Sequence, residues 1–360
     1  MKNLDKLVDE FVSLGIPSID IRVLHHGKEI YRRMEGYSDV GKTKPINGHE
    51  RYNLYSCTKP VTVTTAMTLW EKGKFGLDDK LSDYLPEFSE MTVNDAGTLR
   101  PASRAITIRD LFTMSAGLTY NLGSGNLSLA KKNTDGRCPT RETMKYLARD
   151  PLAFDPGEKY NYSLCHDVIA ALIEVISGEK FGDYARKTIF EPLGMENSTF
   201  LPTDDEIAQL CAQYSYDTNT KIFNPISGRN CFRLGSEYES GGAGLTTTAD
   251  DYLKFLEGWR TGKLLKPETL KLMATNELDE KRIKYYPLTQ YGYGYGLGLR
   301  CEYNNSGSSD FGWGGAAGAY LACDLKYDFT LFHVQHVMNS PNQPLRNYLT
   351  SAIRKDLDGE

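Results

Sequence analysis

Ser56-Cys57-Thr58-Lys59 places a serine three residues before a lysine. On a helix such residues share a face, with Cβ atoms about 5–6 Å apart, so the amine reaches the hydroxyl. A helix N-terminus adds positive potential, which favours negative charge developing on an attacking oxygen. A lysine that is desolvated or crowded by another cation can accept the serine proton. The pair therefore has the makings of a nucleophile with its own base. The spacing alone is a weak signal, because Ser128/Lys131 and Ser177/Lys180 share it. The first of these lies in a polar stretch and the second straddles a helix end at Gly178, so both are expected at the surface. Context separates Ser56 from them. Pro60 follows Lys59, and proline is tolerated in a helix only near its first turn. Val61, Val63, Ala66, Met67, Leu69 and Trp70 then give an apolar, buried helix. A lysine at the head of a buried helix calls for a function.

The elements that must position this pair are legible from periodicity. Leu4, Leu7, Val8, Phe11 and Val12 mark an amphipathic helix ending at Gly15. The run 19–38 reads as a hairpin around a His-Gly turn. Helices are expected over 56–73, over 106–118 with Thr107 as N-cap and Gly117 as stop, over 162–178, and over 247–262 with Thr248 as cap. Residues 119–140, rich in Gly, Ser, Asn and Lys, read as a long surface loop. Near the end the period switches to two: 291–303, 318–325 and 328–337 read as strands, and 346–355 as a last helix. Strands thus lie at both chain ends and helices between them. The expected class is α+β: one domain, an antiparallel sheet built from about 16–55 and 285–340, with a mainly helical region inserted over about 56–284.

The chain has 360 residues, a net charge of -5 and an ordinary globular composition. It lacks the basic footprint of a nucleic-acid binder and the polybasic patch of a membrane-surface protein. Asp5, Asp9 and Glu10 interrupt the N-terminal apolar residues, so no secretory signal is read and a cytoplasmic protein is expected. No apolar run is long enough to cross a bilayer. The seven cysteines are scattered and form no CxxC pair, which points to reduced thiols. His25/His26 and His333/His336 lie in strand-like runs, where these spacings send side chains to opposite faces. With no metal-binding pattern, no metal or other cofactor is expected.

Five blocks, in order, resemble the serine β-lactamase and penicillin-binding-protein superfamily, in its class C-like branch. They are LYSCTKPVTVTTAMTLWEKGKFGLDDKLSDYLPEF, ITIRDLFTMSAGL, FDPGEKYNYSLCHDVIAALIEVISG, GGAGLTTTADDYLKFLEGW, and YGYGLGL followed by FGWGGAAGAYLACD. The resemblance implies that Ser56 is the acylated nucleophile and Lys59 its partner. It implies that Tyr162 shuttles protons between nucleophile, leaving group and water. Tyr303-Asn304-Asn305 also offers a Tyr-x-Asn pattern, but lacks the Pro-Gly-Glu lead-in that precedes Tyr162. Trp313-Gly314-Gly315 matches the third motif, and the N–H of Ala316 is implied to pair with that of Ser56 as an oxyanion hole.

Two departures from the lactamase pattern matter. Trp313 and Gly314 stand where lactamases place Lys or His and then Thr, and Leu164 stands where they place Asn. A site lacking those polar partners loses selectivity for a β-lactam or a D-Ala-D-Ala terminus and gains an apolar wall. Tyr-Ser-Leu with Trp-Gly-Gly resembles the family VIII carboxylesterases. The expectation is a serine hydrolase acting on small or medium acyl esters. The alternatives are a weak β-lactamase or D-amino-acid peptidase, an acyltransferase, or a non-catalytic binding domain. The expected partner is a small-molecule ester or amide, and the oligomeric state is left open. Tyr120 and Tyr293 are expected to line the pocket.

Overall fold

The computed structural model describes residues 1–360. Helix α1 (Lys2–Ser13) leads into β1 (Ser18–His25) and β2 (Lys28–Gly36). Their turn is made by His26 and Gly27, with φ of 51° and 73°, the pair of positive values that a tight hairpin turn demands. Helices α2 (Thr58–Glu71), α3 (Cys165–Ser177) and α4 (Ala249–Arg260) follow. After them come β3 (Tyr293–Tyr295), β4 (Arg300–Glu302), β5 (Phe311–Gly314), β6 (Tyr320–Asp324), β7 (Phe329–Val334) and the last helix, α5 (Leu349–Asp358). The strands form one antiparallel sheet in the order β2-β1-β7-β6-β5-β4-β3. The two chain ends therefore meet inside the sheet, where β1 pairs with β7 from Asp20↔Val334 to His25↔Phe329.

Alternation along the central strands gives the sheet two apolar faces. Ile19, Ile21 and Val23 of β1 and Leu331 of β7 join α1 and α5 in one core. Phe332 and Val334 of β7 and Leu321 of β6 face the larger core that contains α2, α3 and α4. The terminal helices are pinned to each other by Asp356, which accepts from the N–H groups of Asn3 and Leu4 at 2.8 and 3.0 Å.

Helix α2 is buried on nearly every side from Thr58 to Met67. Its threonines make this possible. The hydroxyls of Thr62, Thr64 and Thr65 bond to carbonyls one turn back, so none is left unpaired in the core. Thr64 also accepts from the Trp259 indole N–H of α4 at 3.0 Å. Ahead of α2, a 3₁₀ turn over Tyr55–Cys57 carries Ser56. The short antiparallel pair Arg51–Asn53 and Thr246–Thr248 holds that turn, and the Thr58 hydroxyl accepts from Leu245 N–H at 2.9 Å.

Two expectations are corrected. Residues 119–140 are not a continuous loop: Gly125–Asn133 is a helix, capped by the Ser124 side chain on Leu127 N–H. Leu127 and Ala130, three apart, face the core, a signal masked by the polar composition around them. Helix 106–118 is cut to Ile108–Phe112. Thr107 caps it in a capping box with Asp110, and the chain then leaves the helix through Met114, whose φ is 54°.

The segment that leads to Tyr162 is tied down by Asp155, which accepts from Arg100 and from Ser103 N–H. The Arg100 guanidinium, and then the Ser103 N–H, hold its carboxyl well below the usual carboxylate range. A depressed carboxyl contributes stability that is present above its unfolded value near pH 4 and is lost as pH falls below it. Asp155→Asn is therefore expected to be less stable than wild type at pH 7, with the gap closing as pH drops from about 4. Urea denaturation at each pH reads this; a gap that stays constant with pH contradicts it.

Candidate active site

Ser56 sits half-buried where the 3₁₀ turn enters α2. The residue before it, Tyr55, has a φ of 49°. A non-glycine residue in this region costs of order 1–3 kcal/mol and persists only when its surroundings over-determine it. The surroundings of Tyr55 do so. Its side chain is fully buried, its hydroxyl accepts from Gln213 Nε2 at 2.7 Å, and its ring meets Phe232 edge-on.

Two side chains converge on the serine oxygen. Tyr162 Oη lies 2.6 Å from Ser56 Oγ, and Lys59 Nζ lies 3.4 Å from it. Lys59 is wholly buried. Its amine donates to the Gly242 carbonyl at 2.7 Å and sits 4.5 Å from the Tyr162 ring centroid and 5.5 Å from that of Tyr120. Tyr162 is sandwiched: it stacks on Tyr120 at 5.6 Å on one side and on Trp313 at 6.0 Å on the other. The backbone before it is fixed by Asn161, whose N–H and side-chain amide reach the carbonyls of Met114 and Leu118.

Behind Lys59 lie the half-buried Tyr120 and the fully buried His166 and Asp167. Burial, and then the Asp167 carboxylate, push the Tyr120 hydroxyl well above the ordinary tyrosine range. Burial, and then the Lys59 charge, push His166 well below its own range, so it stays neutral. Burial raises the Asp167 carboxyl, while hydrogen bonds from Ser240 and Tyr238 work against that rise.

On the other side of Ser56, β5 ends in Trp313-Gly314 and turns through Gly315 and Ala316. Gly315 is required by a close approach. A Cβ there would lie 2.4 Å from the Leu54 carbonyl, in the turn that carries the nucleophile. The N–H groups of Ser56 and Ala316 are not spent on backbone hydrogen bonds. Ser56, Tyr162, Trp313 and the run Gly314–Ala316 border a cavity of about 540 Å³, walled further by Tyr160, Tyr285, Tyr286 and Leu288. A separate cavity of about 510 Å³, around Arg229 and Arg233, contains none of the nucleophile set.

Three of the expected pocket residues are placed elsewhere. Leu164 does not border the cavity; it is 2% exposed and packs in the core ahead of α3. Tyr293 is also buried, its hydroxyl engaged by Asp310 and Thr350 and its face covered by the Arg300 guanidinium. Tyr120 supports Tyr162 from behind rather than lining the cavity. Conversely, the sequence does not single out Gly242, Tyr160 or Tyr286. The Gly-Gly-Ala-Gly block is the available signal for Gly242. The other SxxK pairs are at the surface, with Ser128, Lys131 and Lys180 exposed. His336 is a core residue, its ring nitrogens meeting the Cys211 carbonyl and Asn53 N–H.

The sequence matches the Beta-lactamase family model over residues 4–353. The chain belongs to the Beta-lactamase family. Among curated relatives, Protein Rv1367c of Mycobacterium tuberculosis is 30% identical, over 84% of this chain and 81% of its own length. Esterase EstB of Burkholderia gladioli is 29% identical, over 69% of this chain and 67% of its own. Among solved structures, EstCE1, described as a hydrolase with promiscuous acyltransferase activity, superposes with a TM-score of 0.79 at 26% identity. It covers 98% of this chain and 97% of its own. A simvastatin synthase from Aspergillus terreus shares the fold, with a TM-score of 0.80 at 24% identity over 99% and 98% of the two chains. The Beta-lactamase family membership and these neighbours place the chain in a serine hydrolase superfamily that includes esterases and acyltransferases. No helix of the protein is long and apolar enough to cross a membrane.

The close approach of Gly315 to Leu54 fixes how far apart the Ser56 and Ala316 N–H groups lie. Gly315→Ala is expected to lower kcat/KM on an activated ester by about 10²-fold, the usual cost of an ångström-scale misplacement, with the folded state retained by circular dichroism. A folded variant with unchanged kcat/KM would show that this spacing does not matter.

Proposed function

We propose that the protein is a carboxylesterase that forms an acyl-enzyme on Ser56. The observation that carries this reading is the convergence of Tyr162 Oη, at 2.6 Å, and Lys59 Nζ, at 3.4 Å, on Ser56 Oγ beside an aromatic-walled cavity. Tyr162 Oη is the nearer of the two groups to the serine oxygen. The Lys59/Tyr162 pair takes the proton of Ser56 Oγ while the oxygen attacks an ester carbonyl. The oxyanion then forms opposite the N–H groups of Ser56 and Ala316, which together supply several kcal/mol of stabilisation. Tyr162 returns the proton to the departing alcohol. It next takes a proton from water, which attacks the acyl group, and hands that proton to Ser56 as the acid leaves. No step calls on a metal or cofactor.

The cavity favours esters over β-lactams and peptides. Trp313 stacks on Tyr162 where the lactamase pattern has a cation. Around it, Tyr160, Tyr285, Tyr286 and Leu288 offer apolar surface to an acyl or alkoxy group. Esterase EstB, among the relatives, carries the same activity in its name. Acyl transfer is the second reading, because the structural neighbour EstCE1 is described as having that activity. An added alcohol that captures acyl groups faster than water would favour it. A non-catalytic binding role leaves the convergence on Ser56 without a purpose.

Wild type is expected to hydrolyse p-nitrophenyl butyrate, and Ser56→Ala to fall to background. Tyr162→Phe should lose about 10²–10⁴-fold in kcat, the range for a positioned acid–base group. An active Ser56→Ala would place the nucleophile elsewhere. Cephalosporin turnover exceeding ester turnover would favour the lactamase reading.

A further inference from the structure

Gly315 and Ala316 share one peptide unit, and in a trans peptide the carbonyl and the N–H point in opposite directions. The N–H end is the one assigned to the oxyanion. The carbonyl end accepts from Gly318 N–H at 3.1 Å within the turn and from Arg346, whose Nη1 donates to Gly315 O at 3.2 Å and to Ala319 O at 2.9 Å. We infer that Arg346 is a positioning residue for the oxyanion hole: its guanidinium fixes and polarises the Gly315–Ala316 peptide, making the Ala316 N–H a better-aimed and stronger donor. This rests on the reading of Ala316 as an oxyanion donor.

The chemistry of Arg346 sets it apart from an ordinary structural arginine. It is 7% exposed, and its side-chain hydrogen bonds go to two carbonyls with no carboxylate partner. Its Nε has no partner at all. An unpaired buried cation costs several kcal/mol, and burial pushes its titration down to about 10. A neutral donor would serve as a simple brace at far lower cost. The charge is useful where negative charge develops, and Arg346 borders the same cavity as Ser56 and Ala316. Hydrogen bonds in series also polarise one another, by roughly 10–30% per bond.

Arg346 is itself held in register. Its N–H donates to the Asn342 carbonyl, and the Asn342 amide exchanges hydrogen bonds with Gln335 at 3.0 Å. Gln335 in turn packs under Gly318, where an added Cβ would lie 2.2 Å from Gln335 Nε2. Val337 N–H donates to the Ala317 carbonyl at 2.9 Å. The turn from Gly315 to Gly318 is therefore gripped from below at several points, with Arg346 at the peptide that matters.

The test is the infrared carbonyl stretch of the acyl-enzyme, read together with kcat and KM for wild type, Arg346→Gln and Arg346→Lys. A well-donated acyl carbonyl absorbs at lower frequency. Arg346→Gln should shift the band up and lower kcat about tenfold, less than the roughly 10²–10³-fold for outright loss of one donor, with KM changed little. Arg346→Lys keeps the charge but not the fork, and should fall between the two. If Arg346→Gln does not fold, Arg346→Lys carries the test alone. A folded variant with the wild-type band and kcat overturns the inference while leaving the esterase reading intact. A wild type that turns over without acylating Ser56 overturns both.

Discussion

A lysine side chain with no exposure to water and no carboxylate in contact is the constraint around which this site is arranged. Moving an ammonium out of water costs several kcal/mol unless other groups replace its hydration. For Lys59 those groups are the Gly242 carbonyl, the Ser56 hydroxyl and the faces of Tyr120 and Tyr162. Each substitute is supplied by a different part of the chain. The Gly-rich segment must lie flush against α3 to present its carbonyl: a Cβ on Gly242 would meet Asp167 Oδ2 at 2.5 Å. The segment after the shortened helix Ile108–Phe112 must bring Tyr120 behind Tyr162. The approach to α3 must deliver Tyr162 itself. Several separate segments of the helical region are thus organised about one buried charge.

The same arrangement accounts for the chemistry. A positive charge stands next to the phenol proposed to exchange protons with Ser56, and the amine that carries it is itself fully buried. Electrostatic effects are larger there than in bulk water. The opposite wall is mainly aromatic, and the guanidinium-bearing Arg300 and Arg346 also border the cavity. The proton-handling half of the site is built on a buried amine, and the binding half is mainly aromatic. That division suits an ester, whose reacting group carries no charge to be recognised.

The parts of this design that are legible in the sequence are those with local causes. Proline at the third position of α2, with an apolar run behind it, fixes where that helix begins and that it is buried. His26-Gly27 fixes the hairpin, and period-two runs fix the central strands. The parts that are not legible depend on tertiary path. The helix Gly125–Asn133 shows only two core-facing residues within a polar stretch. Tyr293 reads as pocket lining from its Tyr-rich setting, but the Asp310 and Thr350 partners that claim its hydroxyl come from distant positions. Leu164 turns into the core because α3 begins beside it. Arg346 carries no signal in its own neighbourhood. Its role depends on a carbonyl 31 residues away in sequence.

Rapid quenching during turnover of a p-nitrophenyl ester, followed by peptide mass analysis, tests the central claim most directly. The expected result is a burst of p-nitrophenol, with the acyl mass found on the peptide containing Ser56 at up to one equivalent and vanishing as substrate runs out. Steady turnover with no covalent acyl species, or an acyl group carried by any other residue, would contradict a nucleophile at Ser56 and the proton-handling roles of Lys59 and Tyr162.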